Sequence, residues 1–189
     1  LTVALHSQQI QGFFDIPVDH LYTAPVMVRY LRKALEDRPV VVTPDVGGVK
    51  MAHGYASALE ADLAIVAKRR ISAQEVMGLH LVGDVDGRDC VLVDDIVSTG
   101  GTLVTAAGKL KDAGARRVFA AVSHCCLTDK GYARLQDSDI EEFVTTDTVP
   151  TSAEKNGTNV RVLTVAELLA EAVRRIHEDR SVSSLFRHE

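Results

Sequence analysis

The stretch that most constrains how this chain can fold runs from Cys90 to Thr105, CVLVDDIVSTGGTLVT. Cys90, Val91, Leu92 and Val93 form a short apolar run of the kind that fills a strand buried on both faces. Asp94 and Asp95 follow at once. Ser98, Thr99, Gly100, Gly101 and Thr102 then make a hydroxyl- and glycine-rich loop, and an apolar-periodic helix begins. Acids at the carboxyl end of a strand, a tight loop and a helix start, in that order, suit a phosphorylated sugar. The glycines let backbone N–H groups approach an anion, the hydroxyls donate to it, and the helix dipole favours negative charge. The two acids accept hydrogen bonds from vicinal ribose hydroxyls. A ligand-free strand-to-helix turn would explain Ser and Thr as caps, but not two stacked acids before them.

The rest of the chain alternates strands and helices. Residues 1–5 read as a strand ending in His6, and the HSQQIQGFFDIPVDHL segment after it as a structured loop. A helix is expected from Pro25 to about Leu35, a buried strand over 39–43, and a helix over 49–59 that opens on Gly47 and Gly48. A strand over 61–67 runs directly into Lys68, Arg69 and Arg70. Residues 71–89 read as a mobile arm and an edge ribbon. Beyond the central stretch, Arg117–Ser123 is a strand, Thr128–Leu135 a helix, and Glu142–Thr145 and Arg161–Leu163 are strands. Thr164 with Glu167 forms a capping box. It leads into a helix whose stripe of Val165, Leu168, Leu169, Ala172, Val173 and Ile176 belongs to a core or a domain interface. This alternation predicts an α/β doubly wound parallel sheet.

Composition matters mainly for what it excludes. A formal net charge of -5 argues against a broad nucleic-acid surface, and no run reaches the ~20 apolar residues of a membrane span. The 3 cysteines, two of them adjacent at Cys125 and Cys126, make no disulfide framework, which points to a reducing cytoplasm; the pair reads as small buried residues. The chain starts at Leu1 inside a strand pattern, so further sequence is expected upstream.

The QIQGFFDIP segment, the acid-and-glycine loop and the closing AEAVRRIHEDRSVSSLF together carry a family resemblance that spans essentially every residue. The chain resembles the C-terminal part of the ribose-phosphate diphosphokinases, also called phosphoribosyl pyrophosphate synthetases. The loop alone also resembles the wider type I phosphoribosyltransferases. The resemblance implies a type I phosphoribosyltransferase-like fold. It also implies transfer of diphosphate from Mg-ATP to the C1 hydroxyl of ribose 5-phosphate, and a homo-oligomer, hexameric or dimer-based. It divides the chain into residues 1–24, the end of an upstream domain; 25–163, the phosphoribosyltransferase-like domain; and 164–189, a helix and tail at the domain interface.

Carried over position by position, Asp94, Asp95, Ser98, Thr99, Gly100, Gly101 and Thr102 bind ribose 5-phosphate. Lys68 and Arg70 match the family's mobile-loop catalytic pair, whose cations would neutralise the migrating diphosphate. His6 and Asp45 each follow a strand and can meet at one sheet edge. In the family those positions approach Mg²⁺, a cation that takes few protein ligands and shares phosphate oxygens. Asp15 and Asp19 are weaker candidates for the same role. The chain departs from the family pattern at Ala4, Ala67 and Ser98, each standing where the family commonly has an acid. A phosphoribosyltransferase that consumes the activated sugar, or a non-catalytic subunit of the synthetase, are the alternative readings.

Overall fold

The protein is described from a computed structural model, over residues 1–36, 38–69, 78–151 and 159–186. Strands β3 (Val40–Thr43), β4 (Asp62–Arg69), β5 (Gly78–Val82), β6 (Asp89–Val97), β7 (Arg117–Cys125), β8 (Glu142–Thr146) and β9 (Val160–Leu163) form one 7-stranded sheet in the order β5-β4-β3-β6-β7-β8-β9. Every pairing is parallel except β4 with β5, which closes one edge as an antiparallel ribbon. A separate parallel pair, β1 (Thr2–Val3) and β2 (His20–Leu21), lies outside that sheet.

Helices cover both faces, as a parallel sheet requires. Helix α1 (Ala24–Ala34) and α2 (Val49–Leu59) bury Met27, Leu31, Ala52 and Tyr55 against Val41, Val91, Val93 and Phe119. On the other face α3 (Gly101–Asp112) and α4 (Asp129–Gln136) bury Leu103, Leu110, Tyr132 and Leu135 against Val40, Val42 and Leu92, and against Val118 and Ala120 of β7. Successive residues of β6 thus alternate between two apolar layers, which is why its start reads as unbroken hydrophobicity. The expected doubly wound sheet is present, and the chain direction fans out on either side of the β3–β6 boundary.

Three local expectations need correction. The central strand does not stop at Val93: its ladder with β7 runs on through Asp94↔Val122 and Ile96↔His124 to Val97↔Cys125, so both acids sit within the strand. Lys68 and Arg69 do not leave a strand but belong to β4, opposite Leu79 and Gly78. Cys125 is buried whereas Cys126 is exposed. The Gln-rich loop contains a 3₁₀ turn, Gln8–Phe13. Most of the arm expected after Arg69 lies outside the described residues.

Helix α5 (Ala166–His177) forms where its periodicity places it. The expected capping box does not form: Val165, not Thr164, is the N-cap, the Thr164 hydroxyl accepts from the Ala166 N–H at 3.2 Å, two residues on and not three, and Glu167 lies 3.9 Å from Arg29. Val165 and Ala172 are buried, but Val173 and Ile176 are 58% and 44% exposed, so part of the apolar stripe faces outward. At the opposite end of β6 from the glycine loop, the fully buried Asp89 accepts from Arg116 at 2.9 Å, from Arg117 through both Nε and Nη2, and from the Glu36 N–H at 3.0 Å.

Candidate functional site

The order of strands reverses between β3 and β6, and open parallel sheets bind ligands outside the carboxyl ends at such a switch point. A cavity of about 860 Å³ opens there, lined by Asp45 after β3, by Asp94 and Asp95 of β6, by His6, and by Lys50 and His53 of α2. His6 Nδ1 and Asp95 Oδ2 are 2.5 Å apart. Hydrogen bonding to Asp95, reinforced by its charge, raises the His6 pKa.

His6 reaches that position through a clamp made by backbone groups. Ala4 takes a positive φ of 46°, its N–H donates to Leu21 O at 2.8 Å, and its carbonyl accepts from His124 Nε2 at 2.8 Å. The next N–H, of Leu5, donates to His20 Nε2 at 2.8 Å. An amide can only donate, so that ring nitrogen is unprotonated, and burial lowers the His20 pKa accordingly.

Asp94 behaves differently from its neighbour. Burial pushes its carboxyl up to about 6; the Asp95 N–H, donating to Oδ1 at 2.9 Å, opposes the rise, and the charges of Asp95 and Asp45 add to it. Three carboxylates therefore crowd one cavity wall. Asp45 Oδ1 accepts from the Gly48 N–H at 3.0 Å, which ties part of that carboxylate to the start of α2. A hard cation that shares its shell with water and phosphate suits this set, since His6, Asp45 and Asp95 offer ligands and the three acids outnumber Lys50, the lysine of the cavity lining. Among the described residues no three His, Cys, Asp or Glu side chains converge as a ready-made metal cage.

The glycine loop is shaped by its carbonyls. Val97 O accepts from Cys126 N at 2.9 Å, Ser98 O from Thr128 N at 3.1 Å, and Thr99 O from Arg134 Nη1 at 3.0 Å. The first two therefore face the β7–α4 connection and the third faces α4. The peptides are trans, so the N–H groups of Ser98, Thr99 and Gly100 point the other way and are left to donate elsewhere, as successive backbone donors can to an anion. Gly100, at φ 70°, caps α3, whose own first N–H groups extend the row. The side chains of Ser98, Thr99 and Thr102 are exposed beside it.

The structure thus gathers His6, Asp45, Asp94 and Asp95 around one cavity, with Ser98–Thr102 running on directly from the acid-bearing strand. Asp15 and Asp19 do not line the cavity, and neither does the Ser98–Thr102 loop, which continues beyond it. Lys68 stands near the carboxyl end of β4, and Arg70 lies outside the described residues. Sequence reasoning missed Lys50 and His53, whose three-residue spacing on α2 was the available signal, and His20 and Arg134, for which the sequence holds none.

A parallel sheet carrying acids and a glycine loop at its switch point defines an α/β protein with the phosphoribosyltransferase type of fold. Residues 68–187 match the phosphoribosyl synthetase-associated domain, and the chain belongs to that family. It is 48% identical over 190 residues to the ribose-phosphate pyrophosphokinase of Chromobacterium violaceum, covering 100% of this chain and 58% of that protein. With the Pasteurella multocida ribose-phosphate pyrophosphokinase it shares 47% over 189 residues, covering 98% of this chain and 60% of the relative. The crystal structure of a phosphoribosylpyrophosphate synthetase from Mycobacterium smegmatis superposes with a TM-score of 0.85 at 37% identity, over 94% of this chain and 58% of that one. The chain therefore spans 58–60% of the length of these curated relatives. An adenine phosphoribosyltransferase, at 17% identity and a TM-score of 0.50, shares the fold.

Proposed function

We propose that this chain is the C-terminal portion of a ribose-phosphate diphosphokinase, and that its switch-point cavity and glycine loop hold ribose 5-phosphate for attack on ATP. The observation that carries this reading is the continuity of β6: acids for sugar hydroxyls and a row of N–H donors for the 5-phosphate lie on one unbroken segment, Asp94–Thr102. In the reaction the C1 hydroxyl oxygen of the sugar bonds to the β-phosphorus of ATP. The bond between that phosphorus and the oxygen bridging to the α-phosphate breaks, AMP leaves, and the hydroxyl proton is lost to solvent.

Asp94 and Asp95 accept from ribose hydroxyls and fix the ring, while Ser98–Thr102 anchor the phosphate. Positioning of this kind supplies much of the catalysis in phosphoryl-type transfer, where little covalent work falls to the protein. Lys68 and Arg70 place positive charge on the migrating diphosphate. His6, Asp45 and Asp95 are the residues that would hold Mg²⁺, which when bound neutralises charge on the triphosphate oxygens. Residues 1–24 close the site as the end of an upstream domain, a reading supported by the separation of β1–β2 from the main sheet. The exposed Val173 and Ile176 of α5, with Phe13 and Ile16, support association through apolar surface in a homo-oligomer.

The test is direct: full-length protein, ATP, Mg²⁺ and ribose 5-phosphate, with AMP and phosphoribosyl pyrophosphate followed together. Stoichiometric appearance of both is expected. Release of ADP instead, or consumption of phosphoribosyl pyrophosphate with a nucleobase and no AMP, overturns the reading.

A further inference from the structure

Arg134 comes from the last turn of α4, a helix that carries none of the residues assigned to the site. It is exposed, and among the described residues no carboxylate lies within 4 Å of it, so its charge is not spent in an ion pair. Instead its Nη1 donates to the carbonyl of Thr99 at 3.0 Å, beside the first turn of α3; a Cβ built on Gly101 would lie 3.7 Å from the same nitrogen.

That contact settles a choice which sterics leave open. The first two peptides of the loop are fixed by backbone donors, Cys126 N and Thr128 N. The third, between Thr99 and Gly100, has no backbone donor among the described residues: α4 has begun, and its amides turn inward to Thr128 and beyond. Gly100 lacks a Cβ and accepts peptide orientations that other residues resist. Turned over, that peptide would aim a carbonyl oxygen, not an N–H, at a bound anion.

We propose that Arg134 is a positioning residue for the sugar phosphate: by holding the Thr99 carbonyl towards α4, it directs the Gly100 N–H into the anion-binding row. The remaining guanidinium donors add positive field beside α3 without having to touch the ligand. This rests on the reading of the loop as the 5-phosphate site.

The experiment compares Arg134→Met and Arg134→Lys with wild type in the full-length protein. Calorimetric affinities for ribose 5-phosphate and for Mg-ATP are measured alongside kcat at saturating sugar phosphate and the thermal midpoint. Loss of one charge-assisted hydrogen bond predicts that Arg134→Met weakens ribose 5-phosphate by about tenfold. Mg-ATP affinity, kcat and the thermal midpoint stay near wild type, and Arg134→Lys recovers most of the loss. Unchanged ribose 5-phosphate affinity in Arg134→Met overturns the proposal, as does a matching loss of Mg-ATP affinity or a failure of lysine to rescue. Wild-type protein that binds no ribose 5-phosphate overturns this proposal and the functional reading together; wild type that binds beside an equally competent Arg134→Met overturns the role of Arg134 alone.

Discussion

Asp94→Asn should make the protein more stable at neutral pH while weakening its hold on the sugar. The carboxyl is pushed from 3.8 up to about 6, first by burial and then by the charges of Asp95 and Asp45. A carboxyl raised in the fold contributes its stability below 3.8, where it is protonated in both states, and loses it as pH climbs through about 6. A shift of this size corresponds to about 3 kcal/mol at 1.36 kcal/mol per unit, and contact with solvent reduces it to roughly 1–3 kcal/mol. Asparagine is close to isosteric, and its Oδ1 can still accept the Asp95 N–H that Asp94 accepts at 2.9 Å. The substitution therefore removes the buried charge and keeps the local bond. Urea midpoints at pH 7.5 should favour the variant by that amount, and the advantage should shrink towards pH 4. Ribose 5-phosphate affinity at pH 7.5 should fall ~10–100-fold, because an amide is a poorer acceptor for a hydroxyl than a carboxylate. A variant no more stable than wild type at pH 7.5, or equally favoured at both pH values, would refute the electrostatic argument.

Asp89→Asn should destabilise the fold by about 2–4 kcal/mol in urea unfolding, since it leaves Arg116 and Arg117 facing a neutral group. Arg117, Arg116 and the Glu36 N–H hold this carboxyl down at about 2 despite its burial, so wild type should lose that contribution as pH falls from about 4 to 2, and the variant should not. Burial lowers the His20 pKa below 6.5, so the stability tied to the neutral ring is present above 6.5 and is lost as pH falls through the lowered value; His20→Gln should flatten this part of the stability-versus-pH curve. Lys68→Ala should lower kcat by ~10²–10³-fold with a smaller change in the KM for ribose 5-phosphate, the pattern of a lost transition-state cation; a change confined to KM would move it to ground-state binding.

The candidate site was legible in residue order chiefly where Asp94, Asp95 and the Ser98–Thr102 loop sit on one continuous segment. The length of β6 was not. Acids disfavour strands, yet Asp94 and Asp95 stay in β6 because β7 continues alongside them and the cavity receives their side chains. The stripe on α5 was the clearest periodicity in the chain, but periodicity reports a face to be covered and not its cover, and Val173 and Ile176 remain exposed. Arg134 and Thr99 are 35 residues apart and meet only through a backbone carbonyl, which no side-chain pattern encodes. His20 was hidden for the same reason: its partner is the Leu5 amide.

The clamp around His6 is built from the bonds of Ala4 to Leu21 and His124 and of Leu5 to His20, and none of them belongs to the seven-stranded ladder. The two walls of the cavity are therefore held by different sets of bonds, joined through His6 to Asp95 and Ala4 to His124. Amide protons of Val93 and Asp94 exchange with solvent only when the central sheet opens, whereas those of Ala4 and Leu5 need a local opening of a two-stranded pair. Faster exchange at Ala4 and Leu5 than at Val93 and Asp94 is therefore the expected pattern, one wall of the cavity being held by the whole sheet and the other by a handful of local bonds.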